Sequence, residues 1–312
     1  MVAENVIETH DRIKDMSIRG AERIAVGAAS SMRDALAAER ADDVGKLMAR
    51  LEEDGAFLAK ARPSAVTLPN AVNFVLVTAR RLTAENPGPD TFRLELTKVI
   101  EAFIKETKEA IPKIGRIGAR RVEDGYTIMT HCNSSTAIAV IAEAHRQGKD
   151  VRAICHETRP WGQGYLTAQQ LSEAGVPTTL IVDSGMRYMM KKEKVDLIVV
   201  GADSITAHGA VVNKIGTSIL GVCAKESRIQ FLVAAQTLKF DPRTIMGDLE
   251  IIEERDTSEI TDKELPGVQL RNPVFDITPA EYVDLIITEI GALPPSYVMN
   301  VLNDRFGWAK EQ

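Results

Sequence analysis

From Tyr126 onward, short apolar runs alternate with segments of helical periodicity, and this alternation constrains the fold more than any other feature of the sequence. The runs have the length and composition of buried strands. They cover residues 127–130, 151–155, 178–182, 197–200, 229–234 and 285–288. Because strands that alternate with helices form parallel sheets with helices on both faces, the sequence predicts an α/β fold with a Rossmann-like, mostly parallel sheet.

Helical patterns fill the gaps between these strands. We expect helices over residues 135–146, 167–173, 185–192 and 215–225, and a closing helix over 295–306. The stretch 256–273 is rich in charged, proline and polar residues, which is typical of a surface excursion.

The residues before Tyr126 have a different character. Between Val6 and Leu58, apolar and alanine residues recur at helical spacing with charged residues between them. Prolines at positions 63, 69, 87, 89 and 112 interrupt this pattern. Further helices are expected over 71–82 and 91–110, with one more beyond Pro112 up to residue 122. The sequence therefore predicts a smaller helical domain at residues 1–112, followed by the α/β domain at 113–312.

Composition excludes several classes of protein. The chain has 312 residues, of which 45% are apolar, and its net charge of −6 leaves no excess of lysine and arginine to neutralise nucleic-acid phosphates. It contains no run of eighteen apolar residues and does not begin with a basic and apolar leader. We therefore expect a cytoplasmic globular protein that binds neither nucleic acid nor a membrane.

Metal and dinucleotide cofactors are also unexpected. The three cysteines and five histidines show no metal-binding spacing, and no Cys-x-x-Cys pair occurs. The first strand leads into its helix through Cys132-Asn133-Ser134-Ser135, and not through the Gly-x-Gly-x-x-Gly turn that admits a dinucleotide pyrophosphate. A helix amino terminus that carries Asn133, Ser134 and Ser135 is better suited to a single phosphate.

Cys132 and Asp203 are the candidate catalytic residues. Each follows a predicted strand, and open α/β sheets bind ligands at the carboxyl ends of their strands. A cysteine is more often a small apolar core residue, but a thiol beside a helix amino terminus has its thiolate stabilised, so we expect the pKa of Cys132 to be lowered. Asp203 has the alternative role of capping a turn. Because its strand is apolar, we expect its carboxylate to be partly removed from water, which favours proton-transfer chemistry.

Several further residues are candidates for binding an anion. Asn213 and Lys214 are expected at a helix start, where free N–H groups and the Lys214 ammonium can face the same space. Arginines beside breaks in the helical pattern can also hold phosphate, and so can the amide of Gln163 in a loop. These arginines are Arg19, which Gly20 and Ala21 follow, and Arg62. Taken singly, each arginine is more typical of an ordinary surface residue than of a ligand-binding one.

The order of these motifs along the chain resembles a known family. The motifs are Ile18-Arg19-Gly20-Ala21, Ala61-Arg62-Pro63-Ser64, Thr130-His131-Cys132-Asn133, Glu157-Thr158-Arg159-Pro160, Gly201-Ala202-Asp203 and Asn213-Lys214-Ile215-Gly216-Thr217. This set is similar to the aldose-1-phosphate isomerase family, which is related to subunits of initiation factor two B. The resemblance runs from about Ile18 to the carboxyl terminus, and it implies that Cys132 and Asp203 form a catalytic pair.

Members of this family differ in function. Methylthioribose-1-phosphate isomerases carry Ala-Gly after the Cys-Asn pair, whereas this chain has Ser134-Ser135, whose hydroxyls suit a second phosphate. Lys239 lies where those isomerases lack a lysine, and it is a candidate cation for that phosphate. The resemblance then implies an aldose–ketose isomerase that converts α-D-ribose 1,5-bisphosphate into D-ribulose 1,5-bisphosphate, in nucleotide salvage through Rubisco. Methylthioribose-1-phosphate isomerisation, a non-catalytic regulatory subunit and a sugar-phosphate or nucleotide sensor are the alternatives.

Isomerisation of an aldose 1-phosphate requires ring opening and movement of a hydrogen from C2 to C1, and this chemistry predicts a role for each site residue. Asp203 opens the sugar ring and moves protons between its oxygens, while Cys132 as a thiolate takes the proton from C2; a hydride shift is the rival route. The C1 phosphate is assigned to Arg19, Gly20, Arg62, Gln163, Asn213 and Lys214, and the C5 phosphate to Ser134, Ser135 and Lys239. Ala21 and Asn133 complete the substrate-binding set. Neither a cofactor nor a metal is expected, and the chain is expected to form a homo-oligomer, either a dimer or a trimer of dimers.

Overall fold

The computed structural model describes residues 2–18, 20–62, 66–245 and 252–306. It divides into two compact units. One extends to Ala110 and is rejoined by the chain from Leu302 onward, and the other comprises Ile111–Val301. None of the described helices has both the length and the apolar character needed to cross a lipid bilayer.

Helices build the amino-terminal unit, because its apolar residues recur at the spacing that places them on one helix face. These helices are α1 (Glu4–Lys14), α2 (Ala21–Ala38), α3 (Val44–Leu58), α4 (Thr67–Ala84) and the first part of α5 (Pro89–Ala119). Helix α2 packs against α1, α3 and α4, and Met32, Leu51 and Phe92 are among the fully buried side chains. Gly55 allows α3 to approach α4 closely, since a Cβ there would lie 2.8 Å from Val72 Cγ1.

Helix α5 continues through Pro112, so the helix break expected there is wrong. Proline removes one main-chain N–H from a helix and usually kinks or ends it. The apolar face of α5 is fully buried on both sides of this position, at Ile100, Ile114 and Ala119. Burial of that face over the whole helix outweighs the local cost of the proline.

The unit from Ile111 to Val301 alternates strands and helices. Its described strands are β1 (Thr127–Thr130), β2 (Arg152–His156), β3 (Thr178–Ile181), β4 (Leu197–Val200), β5 (Ser204–Thr206), β6 (Val211–Lys214), β7 (Gln230–Ala234), β8 (Phe240–Asp241), β9 (Phe275–Thr278), β10 (Leu285–Thr288) and β11 (Gly291–Leu293). The helices after α5 are α6 (Ser135–Arg146), α7 (Gln163–Glu173), α8 (Met186–Lys192), α9 (Thr217–Ser227) and α10 (Val298–Phe306).

A seven-stranded sheet forms the centre of this unit, in the order β3-β2-β1-β4-β7-β10-β11. All neighbouring strands are parallel except β10 and β11. Strands β1 and β4 are buried at every residue, and their side chains pack with those of α6, such as Val140 and Ile141, in one hydrophobic core. The α/β class predicted from the sequence is confirmed, and each of the six predicted strands occurs with ends that differ by at most one residue.

A second, four-stranded sheet in the order β8-β5-β6-β9 is absent from the sequence-based prediction. Strands β5 and β6 form an antiparallel hairpin whose turn places Gly209 at a φ of 86°, where glycine is favoured. The four strands of this sheet are two to four residues long, and β6 buries the polar side chains of Asn213 and Lys214. Such short segments carry too little apolar alternation to be recognised in a sequence.

The order of the large sheet reverses at β1, which pairs with β2 on one side and β4 on the other. Ligands bind in open α/β sheets at such a switch point, in the crevice outside the carboxyl ends of the strands. Cys132 follows β1 and Asp203 follows β4, so both residues lie at this switch point.

Candidate active site

Cys132 occupies a sharp turn between β1 and α6. Its φ of 65° lies in the left-handed region, which is uncommon for a residue other than glycine. The side chain is only 8% exposed, and its thiol donates a hydrogen bond to Gln163 Oε1 at 3.3 Å. The structure therefore places Gln163, a predicted substrate-binding residue, beside Cys132.

The pKa of the Cys132 thiol is raised to about 11, mainly because burial removes the thiolate from water. The negative charge of Asp203 raises it further, whereas the N–H of Asn133 and the ammonium groups of Lys214 and Lys239 lower it. The expected lowering of this pKa is wrong, since loss of hydration outweighs the favourable N–H and lysine charges. These electrostatic effects also place Asp203, Lys214 and Lys239 near the thiol.

Asp203 lies in the turn that leads from β4 to the hairpin. Its backbone N–H donates to the carbonyl oxygen of Val212 at 2.8 Å, and its side chain is exposed. The expectation that this carboxylate is partly removed from water is therefore wrong. Gly201, Ala202 and Ser204 around it are buried, so only the Asp203 side chain turns out of the core at this point.

Lys239 lies at the end of a short 3-10 turn, Thr237–Lys239, that follows β7. Its ammonium donates to the backbone oxygen of Ala202, the residue before Asp203. Burial lowers the pKa of Lys239, and the negative charges of Asp203 and Cys132 oppose that shift. Lys239 thus lies close to both members of the predicted catalytic pair.

The amino terminus of α6 carries the predicted phosphate-binding hydroxyls. Ser134 is the N-cap, and its Oγ accepts a hydrogen bond from the N–H of Ala137 at 3.4 Å. Ser135 is exposed in the first turn. Gly201 lies against this turn, since a Cβ there would be 2.3 Å from Ser134 Oγ. The structure thereby brings the end of β4 next to the start of α6.

The amide of Asn133 has hydrogen-bond partners within the protein. Its Nδ2 donates to Thr167 Oγ1 at 3.0 Å and to Gln170 Oε1 at 3.1 Å, both on α7. Asn133 is half-buried, and these contacts fix its side chain next to Cys132.

Asn213 and Lys214 lie on strand β6, so their expected position at a helix start is wrong. Helix α9 begins at Thr217, and the Asp276 carboxylate accepts hydrogen bonds from the N–H groups of Gly216 at 2.7 Å and Ser218 at 3.1 Å. The backbone N–H groups expected to bind an anion at this helix start therefore donate to the Asp276 carboxylate instead. Burial raises the pKa of Asp276 to about 6, although these N–H groups oppose the shift.

The side chains of Asn213 and Lys214 are both buried. Asn213 Nδ2 donates to Thr217 Oγ1 at 3.0 Å, and the Lys214 ammonium lies 4.9 Å from the centre of the Phe275 ring. A lysine buried in this way supplies a positive charge close to the site.

The remaining predicted residues belong to the amino-terminal unit. Gly20 has a φ of 89° and is the N-cap of α2, whose first residue is Ala21. Arg62 is half-buried beyond the end of α3. Arg19 and residues 63–65 lie outside the described residues.

Sequence reasoning missed a group of buried polar residues under the Cys132 turn. His131 and His156 lie with ring centres 5.4 Å apart, and His131 Nε2 is 2.9 Å from the Ile215 carbonyl oxygen. Thr158 and Thr167 contact the Cys132 backbone at 2.9 and 2.7 Å. His131 and Thr158 belong to motifs given above, whereas no motif marks His156 or Thr167. The role of each is hidden from the sequence, because it arises from loops that meet only in the folded chain. In the described ranges, no three His, Cys, Asp or Glu side chains are grouped so that they could hold a metal ion.

A doubly wound sheet with a thiol and a carboxylate at its switch point, and two lysines near the thiol, is typical of α/β proteins that bind a small molecule at the ends of their strands. The sequence model of the Initiation factor 2 subunit family matches residues 17–295, and the chain belongs to this family. The family resemblance read from the motifs is thereby confirmed.

Individual relatives extend the comparison over nearly the whole chain. A Methanocaldococcus jannaschii protein named ribose 1,5-bisphosphate isomerase is 46% identical over 307 residues, which cover 97% of this chain and 96% of that protein. An Acetivibrio thermocellus protein named methylthioribose-1-phosphate isomerase is 39% identical, with 96% of this chain and 91% of that protein covered. The crystal structure of the Pyrococcus horikoshii translation initiation factor eIF-2B has a TM-score of 0.74 and 32% identity, and covers 94% of this chain and 98% of that one.

Proposed function

We propose that this chain is an aldose–ketose isomerase that converts α-D-ribose 1,5-bisphosphate into D-ribulose 1,5-bisphosphate. The observation that carries the proposal is the similarity to the Methanocaldococcus jannaschii relative named for this substrate, which spans nearly all of both chains. The grouping of Cys132, Asp203 and Lys239 supports it, because an isomerase of this kind must move several protons on one small molecule. The product would feed Rubisco in nucleotide salvage, as the family resemblance implies.

The proton on Cys132 is the starting point of the proposed mechanism. With its pKa raised to about 11, the free protein holds this thiol protonated at neutral pH. Transfer of that proton to Asp203 would remove the negative charge that raises the pKa of the thiol. The same transfer would give Asp203 the proton that ring opening requires. One proton transfer, which is uphill for a thiol whose pKa is about 11, would therefore prepare a thiolate base and a carboxylic acid together.

Each later step then has a donor and an acceptor. Asp203 protonates the ring oxygen as the bond from C1 to that oxygen breaks, and the Cys132 thiolate takes the proton from C2, which forms an enol phosphate. The thiol returns its proton to C1, and the Asp203 carboxylate takes the proton of the C2 hydroxyl to leave the ketone. A final transfer from Asp203 to Cys132 restores the starting state. No atom or electron pair is left unbalanced.

The phosphates are assigned by charge and exposure. Ser135 is exposed at the amino terminus of α6, where N–H groups and the helix dipole favour an anion. We place the C5 phosphate there, with Lys239 as its cation and with Ser134 contributing to the turn. Gln163, Asn213 and Lys214 are assigned to the C1 phosphate.

Methylthioribose 1-phosphate is the second candidate substrate. The observation in its favour is the Acetivibrio thermocellus relative named for that substrate, which is 39% identical. Against it, an exposed Ser135 hydroxyl and the Lys239 ammonium offer nothing to an apolar methylthio group.

We also propose that the chain forms a homo-oligomer, either a dimer or a trimer of dimers. Support comes from α8 and α9, which pack together and expose large apolar side chains. Tyr188 is 67% exposed, Ile219 59% and Val222 49%. Light scattering on the purified chain measures the assembly, and a monomer at micromolar concentration would contradict this part of the proposal.

A phosphorus NMR time course tests the function directly. Purified protein is mixed with α-ribose 1,5-bisphosphate and, separately, with methylthioribose 1-phosphate. Conversion of the bisphosphate alone is the expected result. Conversion of only the methylthio sugar would overturn the substrate assignment while retaining the proton-transfer chemistry. If neither sugar reacts, the isomerase proposal is wrong and a binding or regulatory role replaces it.

A further inference from the structure

We infer that Thr158 and Thr167 are positioning residues that clamp the backbone of Cys132 so that its thiol stays buried and aligned for the reaction. The inference rests on the proposed function. It adds two hydroxyl groups, neither of which contacts substrate in the proposed mechanism, to the residues on which turnover depends.

The clamp consists of one hydrogen bond on each side of Cys132. The N–H of Cys132 donates to Thr158 Oγ1 at 2.9 Å, and the hydroxyl of Thr167 donates to the Cys132 carbonyl oxygen at 2.7 Å. Both threonines are 1% exposed. The two hydroxyls come from different elements, since Thr158 follows β2 and Thr167 belongs to α7.

The conformation of Cys132 explains why a clamp is needed. The backbone φ of Cys132, 65°, lies in a region that L residues rarely adopt. Such a conformation persists only where the surrounding structure holds it. The turn between β1 and α6 leaves the N–H and C=O of Cys132 outside the ladder and the helix. Without the two hydroxyls, both buried backbone groups would lose the partners described here, and relaxation toward ordinary geometry would move the thiol.

Thr158 is itself held in place. Its φ is 61°, its hydroxyl donates to the His156 carbonyl oxygen at 3.2 Å, and its N–H donates to Asp183 Oδ1 at 2.8 Å. The second oxygen of Asp183 accepts from the N–H of Arg159 at 2.7 Å. Asp183 follows β3, so three adjacent strands, β1, β2 and β3, contribute to the position of one thiol.

Thr167 performs a second function in the same network. Its oxygen accepts from Asn133 Nδ2 at 3.0 Å while its proton goes to the Cys132 carbonyl. Thr167 therefore holds both the backbone of Cys132 and the side chain of Asn133. Gln163, on the same helix, accepts from the thiol. Helix α7 thus sets the orientation of Cys132 from two positions.

The test compares valine and serine at each position. Thr158→Val and Thr167→Val keep the shape and remove the hydroxyl, whereas Thr158→Ser and Thr167→Ser keep the hydroxyl. Thr178→Val is the matched control, because the Thr178 hydroxyl also donates to a backbone oxygen, that of Val176 at 2.8 Å. Thr178 is the first residue of β3, whereas the site lies at the carboxyl ends of the strands. We expect each valine variant to lose about 100-fold in kcat, as a misplaced reacting group does, with KM changed less than about threefold. Each serine variant is expected to recover most of kcat.

A second readout is independent of isomerase activity. Labelling of Cys132 by iodoacetamide at pH 8, quantified on the peptide that contains it, reports how well the thiol is shielded. The valine variants are expected to label at least about tenfold faster than the wild type, because a thiol that leaves its buried position regains an ordinary pKa. The serine variants and Thr178→Val are expected to label at the wild-type rate.

The two readouts separate the two proposals. If the wild type isomerises no sugar phosphate, the proposed function fails, and the labelling rates still decide whether the clamp exists. Valine variants with wild-type labelling would overturn the clamp, and so would serine variants that are as impaired as the valine variants. Equal losses in Thr178→Val would show a general effect of removing a hydroxyl and would also overturn it.

Discussion

The ammonium of Lys239 donates a hydrogen bond to the backbone oxygen of Ala202, the residue directly before Asp203. This contact joins the turn after β7 to the turn after β4. It places a positive and a negative side chain near the Cys132 thiol, where they act in opposite directions. Asp203 raises the pKa of that thiol, and Lys239 lowers it.

Removing these two charges is therefore expected to change the reactivity of Cys132 in opposite senses. Asp203→Asn lowers the thiol pKa from about 11, so iodoacetamide labelling at pH 8 becomes faster, whereas Lys239→Gln raises the pKa and makes labelling slower. One pKa unit corresponds to about a tenfold change in rate well below the pKa. Rates measured from pH 7 to 9 with the wild type as reference check this. Changes of the same sign in both variants would contradict the electrostatic assignment.

Replacement of Cys132 is expected to stop turnover and leave binding intact. Cys132→Ala and Cys132→Ser should each lower kcat by about 10² to 10⁴-fold, the usual effect of losing a proton carrier. Calorimetric titration with the bisphosphate checks that affinity is retained. Cys223→Ala is the matched control, since it removes another buried thiol, from α9, outside the site. A Cys132→Ala protein with more than a tenth of wild-type kcat would exclude the role given to this thiol.

The two serines that precede and begin α6 are expected to separate stability from substrate choice. Ser134 caps the helix, so Ser134→Ala should lower the free energy of unfolding by about 1 kcal/mol. Ser135 is exposed and accepts no capping bond, so Ser135→Ala should leave stability unchanged and raise KM for the bisphosphate about tenfold, the loss of one hydrogen bond to a charged group. Urea unfolding and steady-state kinetics measure the two quantities. An unchanged KM in Ser135→Ala would place the C5 phosphate elsewhere.

Much of the fold is predictable from the sequence because long apolar strands have a strong local signal. Strands β1 and β4 are buried at every residue and β2, β7 and β10 at all but the first, and such apolar runs are recognisable without knowledge of their neighbours. Strand β3, at the edge of the sheet, is more accessible. The position of Cys132 and Asp203 follows from the same signal, since both come directly after such runs. The structure also brings Lys239, the predicted cation for the C5 phosphate, near these two residues.

The errors concern properties that depend on tertiary surroundings. The pKa of Cys132 is set by how deeply its turn is buried, which a helix start in the sequence does not reveal. Lys214 reads as a helix-start lysine but lies buried in a strand, because β9 pairs with β6 from sixty residues further along the chain. Thr158 belongs to the Glu157-Thr158-Arg159-Pro160 motif, but nothing in that motif indicates its contact with Cys132, and Thr167 has no local signal. Their importance appears only when loops after different strands meet.

His156 gives the core a specific sensitivity to acid. It is fully buried, neither ring nitrogen has a hydrogen-bond partner among the described residues, and burial lowers its pKa to about 3. A lowered histidine pKa contributes stability that is fully present above the unfolded pKa of about 6.5 and is lost as the pH falls toward 3. Between pH 7 and pH 4, the free energy of unfolding is expected to fall by about 3 kcal/mol less in His156→Leu than in the wild type.

Thermal and urea unfolding of His156→Leu at several pH values checks this. At pH 7 the variant should be no less stable than the wild type, since it removes two buried polar atoms that have no partner. His208→Leu, at an exposed histidine, controls for loss of an imidazole. Parallel pH curves for the wild type and His156→Leu would show that His156 does not titrate with unfolding.

Asp276 is expected to produce the opposite dependence on pH. Its carboxylate is half-buried beneath the start of α9, and burial raises its pKa to about 6. A raised carboxyl pKa contributes stability that is fully present below the unfolded pKa of about 3.9 and is lost as the pH rises through 6. The shift corresponds to at most about 3 kcal/mol, and solvent near the half-buried group reduces this to about 1–2 kcal/mol.

Comparison of Asp276→Asn with the wild type isolates this contribution. The amide keeps an acceptor for the N–H groups of Gly216 and Ser218 but cannot ionise, so the wild type should lose stability relative to the variant between pH 4 and pH 7. Asp256→Asn is the control of opposite sign, because the N–H of Ser258 lowers the pKa of Asp256 and its carboxylate gains stabilisation as the pH rises. Urea midpoints at pH 4, 5.5 and 7 distinguish the two. If the Asp276 and Asp256 variants show the same direction of change, the buried charge at the start of α9 is not what sets the pH dependence.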